Sequence, residues 1–145
     1  MKSWFAVVVI VTAATTASVS AHIMVSPPES KAGAVQKYEL RVHNEGKVAA
    51  TGVDLDVPDG VTVTEIGEAP EGTVTTKKTG DRIVTISWKV DVPPSKYLAL
   101  PFTAQNPAAA KEVHWNVHEH LANGTMVEWS DKAGAAEKAS ITKIQ

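Results

Sequence analysis

In Val53-Asp54-Leu55-Asp56-Val57 every second side chain is apolar, and this two-residue period returns along most of the chain. Such a period is what a strand with one buried and one solvated face requires. In "AVQKYELRV" (34–42) it sets Gln36, Tyr38, Leu40 and Val42 against Val35, Lys37, Glu39 and Arg41. "DRIVTISWKV", "YLALPFTAQNP", "EVHWNVHEHL", "TMVEW" and "ASITKI" are further strand-like runs. Between them stand turn signals at Pro58-Asp59-Gly60 and at Ala122-Asn123-Gly124, whose Asn-Gly pair marks a hairpin. Only "KAGAAEKAS" leans helical, and it is short and broken by glycine. The expectation is one all-β domain, a two-sheet sandwich of about eight or nine strands.

The first 21 residues are set apart from this pattern. Lys2 precedes an uncharged apolar run from Trp4 to Ala14, and Val19-Ser20-Ala21 offers small residues at the positions a signal peptidase reads. The run is too short for a transmembrane helix, which needs roughly 20 residues. Residues 1–21 therefore read as a secretory signal, and residues 22–145 as the mature domain, periplasmic or secreted, with no membrane span. Its 124 residues suffice for a packed core. With Lys2 removed, 13 basic side chains face 16 acidic ones, a balance that gives no reason to expect nucleic acid as a partner. The chain has no cysteine. Packing must hold it without disulfides, and a blue-copper electron-transfer site is excluded for want of a thiolate.

Cleavage after Ala21 changes the chemistry of the next residue. His22 would gain a free α-amine beside its imidazole, and the amine with Nδ1 closes a six-membered ring on a metal ion. Both nitrogens shed protons at modest cost near neutrality. Two nitrogen donors from one residue suit tetragonal Cu(II), which also heads the affinity order of divalent ions.

From this junction onward the chain resembles the YcnI-like copper-binding domain family. The resemblance rests on "AHIMVSPPESKAGAVQKYELRVHNEGKVAATGVDLDVPDGVTVTEI" and continues through "DRIVTISWKV", "PFTAQNP" and "VHWNVHEHLANGTMVEWS" to the closing strand. It covers essentially the whole mature chain. It implies an exported immunoglobulin-like or cupredoxin-like β-sandwich. It further implies Cu(II) held by the amine and imidazole of the first residue, here His22, with a carboxylate assisting and a tryptophan over the ion. The tryptophan maps to Trp129, with Trp115 as the alternative. Two departures stand out. Where the family often has Glu before the strand ending in "NP", this chain has Ser95-Lys96-Tyr97, and where the family usually has Gln it has Glu119. Alternation puts Glu119 on the apolar face with Trp115, Val117 and Leu121, where a carboxylate is costly unless paired or bound to a metal. Glu119 is thus a candidate replacement ligand.

The opposite face of that run carries His114, His118 and His120. His118 and His120 are one strand repeat apart and either share a second metal or belong to a solvated polar face. Met24 follows His22 by two residues and is either a soft ligand or core filler. The expected function is a copper-binding protein of the cell envelope without catalytic turnover, exchanging its ion with another envelope copper protein. The alternatives are a histidine-brace copper oxygenase acting on polysaccharide, and an immunoglobulin-like assembly module with no metal. Intact-mass analysis of exported material should show a chain starting at His22, and any other start would remove the chelating amine.

Overall fold

A computed structural model describes residues 22–69, 72–109 and 111–145. The expected signal, residues 1–21, lies outside them. Eleven strands follow in order: β1 (His22–Ser26), β2 (Glu29–Ser30), β3 (Val35–His43), β4 (Ala50–Asp56), β5 (Thr62–Ile66), β6 (Thr73–Thr79), β7 (Arg82–Val92), β8 (Tyr97–Gln105), β9 (Lys111–Leu121), β10 (Met126–Trp129) and β11 (Ser140–Ile144). One sheet runs β1-β3-β8-β5. The other runs β2-β11-β9-β4-β7-β6, with β10 also on β9. No helix occurs among the described residues, and none is therefore long and apolar enough to cross a membrane.

The strands beyond the expected eight or nine are β2, of two residues, and β6. Thr73–Thr79 is exposed along nearly its whole length at the sheet edge, so it buries no alternate face and leaves no periodic signal. The helix-leaning stretch after Asp131 forms turns and a bridge instead. Two of its short contacts, Ser130 N–H to Glu137 O at 3.0 Å and Glu137 N–H to Glu128 O at 3.1 Å, lay it beside β10.

The predicted faces are the observed ones. Tyr38, Leu40 and Val42 of β3 and Val53 and Leu55 of β4 are buried between the sheets. At the centre Tyr38 stacks on Phe102 at 5.5 Å, and Trp115 meets both edge-on at 5.3 and 5.6 Å. Such an aromatic cluster removes much apolar surface from water and adds geometric preference to it. Its polar tips are satisfied. Trp115 Nε1–H donates to Thr142 Oγ1 at 2.9 Å, and the Tyr38 hydroxyl donates to Asn106 Oδ1 at 2.6 Å. Asn106 in turn donates to Ser30 Oγ and Lys31 O, joining the two sheets at this end. Burial pushes the Tyr38 phenol up from its ordinary value, which keeps the hydroxyl a donor.

Tyr38→Phe keeps the ring packing but leaves Asn106 Oδ1 without its buried donor. The unfolding free energy should fall by about 1–3 kcal/mol. Urea denaturation would show this as a lower midpoint at unchanged slope.

Candidate metal centre

Among the described residues β1 is an edge strand with β3 as its one sheet neighbour, in the register His22 to His43, Ile23 to Val42 and Met24 to Arg41. Ile23 and Val42 are buried, so alternation turns His22, Met24 and His43 to the outer face, where all three are exposed. The direction of the backbone can be fixed as well. The Val25 N–H points away from β3, donating to Ser140 Oγ at 3.0 Å. In an antiparallel pair the neighbouring residues of opposite parity then face the partner strand. The α-nitrogen of His22 is thus turned toward β3 at His43.

On its other side His22 opens onto a surface hollow. Met24 and Trp129 share this hollow with Ala135, Ala136 and Glu137 of the loop that follows β10. Two sequence-predicted residues, His22 and Trp129, therefore meet across a single concavity, although they lie on different sheets. Trp115, the alternative tryptophan, is fully buried in the core cluster. Among the described residues, no hydrogen bond or ion pair engages the His22 imidazole. An exposed, uncommitted imidazole is a nitrogen donor of the type that copper accepts.

Glu119 occupies the place that alternation assigns to it. It is 1% exposed and faces the core of the sandwich, opposite Val53 on β4 and Val127 on β10. It does not line the His22 hollow. Trp129 connects the two, with one surface in the hollow and its indole nitrogen toward Glu119. Both carboxyl oxygens and Trp129 Nε1 lack a partner in full hydrogen-bond alignment. Burial raises the Glu119 pKa above its ordinary value, and the nearby indole N–H offsets only part of that rise.

The carboxylate on the outer rim is Glu45, which sequence reasoning missed. Its Oε1 lies 3.4 Å from Nδ1 of His43, the residue opposite His22. Lys96, at the position where the family often has Glu, accepts the Asn44 N–H through its backbone oxygen at 2.9 Å. Two loops thus meet at this end of the sheet, and the acidic side chain there comes from the other one. The parity of His43, shared with Arg41 on the outer face, was the readable part of this signal. Its pairing with His22 was not, because register is a property of the assembled sheet.

His114, His118 and His120 lie on the outer face of the other sheet. His118 Nε2 is 3.0 Å from Asp56 and His120 Nε2 is 2.7 Å from Asp54, each reaching diagonally to β4. His114 Nδ1 approaches Asp131 at 2.6 Å, though without the in-plane alignment of a hydrogen bond. Each ring has its own carboxylate. No three His, Asp or Glu side chains among the described residues converge in a way that could hold a metal ion.

Residues 22–143 match the profile of a family described as "Domain of unknown function (DUF1775)". The chain belongs to this family. The DUF1775 match begins at His22, the residue at the expected cleavage junction. The chain is also 32% identical over 132 residues to the copper-binding protein CutI of Bacillus subtilis (strain 168). That alignment takes in 89% of this chain and 65% of the relative, so this DUF1775 chain spans about two thirds of that protein's length. These matches agree with the resemblance drawn from the sequence. Among solved structures, an uncharacterized protein from Nocardia farcinica with an immunoglobulin-like fold superposes with a TM-score of 0.72 at 18% identity, covering 85% of this chain and 97% of the other. A non-cellulosomal cohesin from Archaeoglobus fulgidus superposes with a TM-score of 0.55 at 12% identity, covering 87% and 91%. At such identities the likeness establishes the immunoglobulin-like sandwich and nothing about ligands.

Glu119 gives the metal-free protein a pH-dependent stability of definite sign. Its pKa is raised only in the folded state, so folding takes up a proton above the ordinary carboxylate range. Stability therefore falls as pH rises through that range toward the folded value. Glu119→Gln preserves the shape and cannot ionise. The variant should match the parent near pH 4 and exceed it near pH 8 by about 1 kcal/mol or more, since an unpaired buried polar group costs that much. Thermal or urea unfolding at the two pH values checks this, and a parallel offset at both would refute it.

Proposed function

We propose that this chain, once cut after Ala21, binds copper as Cu(II) through the α-amine and Nδ1 of His22. The observation that carries the reading is the setting of His22. It is the first residue of an edge strand, its imidazole is uncommitted and its α-nitrogen is turned into the sheet, while Trp129 shares its hollow. The copper-binding relative supports the choice of metal. The indole of Trp129 lies on the side of His22 away from β3, where its face can act on the bound cation from beside the chelate. Glu45 supplies negative charge on the rim, and Glu119 sits behind the indole rather than in the hollow.

The role is to hold and pass on the ion, without turnover. A site built largely by one residue on an edge strand is open to a second protein, whereas structural sites close four ligands around the metal. An envelope copper protein is the partner this arrangement suits, in the periplasm or outside the cell. A polysaccharide oxygenase would need an aromatic surface to grip a sugar. Among the described residues, Tyr97 is the one aromatic side chain with broad exposure. His114, His118 and His120 do not complete a brace with His22, because they face outward from the opposite sheet, each against a carboxylate.

A protein retaining one residue before His22 has an amide in place of the amine, and the chelate can no longer form from two neutral nitrogens. Its Cu(II) affinity should fall at least tenfold, about 1.4 kcal/mol or more. His22→Ala in correctly processed protein should do comparable damage. Trp129→Phe should leave most of the affinity while altering the copper spectrum. Calorimetry and electron paramagnetic resonance with one equivalent of Cu(II) measure all three. Equal affinity with and without the extra residue would move the site elsewhere.

A further inference from the structure

Three exposed side chains lie in a row across one end of the four-stranded sheet. His22 on β1 pairs with His43 on β3, and His43 pairs with Tyr97 on β8. Residues directly opposite in an antiparallel pair project to the same side, with Cβ atoms about 4.5–5.5 Å apart. Metal–nitrogen bonds of roughly 2.0 Å put two ligating nitrogens about 3–4 Å apart on one ion. Two imidazoles rooted at such Cβ positions span that distance with ordinary rotamers.

The surroundings of His43 hold it for this task. Its ring meets Tyr97 edge-on, with centroids 6.5 Å apart, which restrains the side chain against the sheet. Its Nδ1 lies 3.4 Å from Glu45 Oε1. A carboxylate on one ring nitrogen fixes the tautomer and leaves the other nitrogen as the lone-pair donor, the arrangement found behind most metal-bound histidines. For His43 the 3.4 Å approach of Glu45 is an ion-pair contact without hydrogen-bond alignment, and Nε2 is the ring nitrogen with no carboxylate beside it among the described residues. The α-nitrogen of His22 is also turned toward this residue, so the amine and two imidazoles are rooted at one end of the rim.

We propose that His43 is a metal ligand, supplying through Nε2 a third nitrogen beside the amine and imidazole of His22. The inference rests on the reading of His22 as the chelating residue. It goes beyond that reading by making the centre a two-imidazole site bridging β1 and β3, with Glu45 as the residue that positions His43. Three nitrogens in one plane suit the tetragonal preference of Cu(II), and a ligand contributed by β3 ties the ion to an internal strand of the sheet.

Pulsed electron paramagnetic resonance of the processed protein, loaded with one equivalent of Cu(II), counts coordinated imidazoles. Two are expected in the parent and one in His43→Phe, which keeps a ring against Tyr97. The variant should bind Cu(II) at least tenfold more weakly by calorimetry. Glu45→Gln should retain both imidazoles while weakening binding by a smaller factor. If His43→Phe does not fold, His114→Asn, His118→Asn and His120→Asn combined give the assignment: two imidazoles persisting there support His43, and a count of one overturns it. A single imidazole in the parent, or an unchanged count in folded His43→Phe, overturns the proposal and leaves the His22 chelate standing. Insensitivity of the copper signal to an added residue before His22 would instead defeat the chelate itself.

Discussion

Asn44 is buried between two exposed residues, His43 and Glu45, and its hydrogen bonds fix that end of the sheet. Its side-chain amide donates to Val48 O and Val92 O, both at 2.8 Å, while Oδ1 accepts the Gly46 N–H at 3.0 Å. Its main chain exchanges two further bonds with the β7–β8 connection, to Lys96 O and from the Ser95 N–H. One residue thereby saturates the polar groups of two loops that would otherwise be buried unpaired. The exposed, polar rim residues thus flank a residue whose buried polar groups are all bonded.

The strands that bury one face and solvate the other were legible in the sequence. Residues 38–43, 53–56 and 113–119 show it, the alternation in β4 being broken at Gly52 where the register shifts, and Glu119 fell on the apolar face as alternation required. Thr73–Thr79 was invisible for the same reason read in reverse, since an edge strand with no buried face has no period to detect. The stretch after Asp131 has helical propensity, yet it lies along β10 and walls the His22 hollow, so tertiary contact outweighed a weak local preference.

The candidate centre was legible only in part. His22 could be singled out because its chemistry depends on a single cut, and Trp129 through resemblance. That the two share a hollow depends on how the sheets stack. His43 and Glu45 lie more than twenty residues along the chain and reach His22 only through the β1–β3 register. The other three histidines illustrate the opposite case. The spacing of His118 and His120 on β9 left open a shared ion or a solvated polar face; Asp56 and Asp54 each take one of those rings, and Asp131 lies against His114.

The position of β1 at the margin of the sheet has an energetic consequence. The aromatic cluster, the Asn106 link and the Asn44 clamp all form without any atom of the His22 side chain. In small zinc domains the free energy of metal binding is the free energy of folding, and the empty state is a disordered chain. Here the two are separable. On the proposed reading none of these contacts draws on the bound ion, so copper held at the edge strand adds to stability only through mass action.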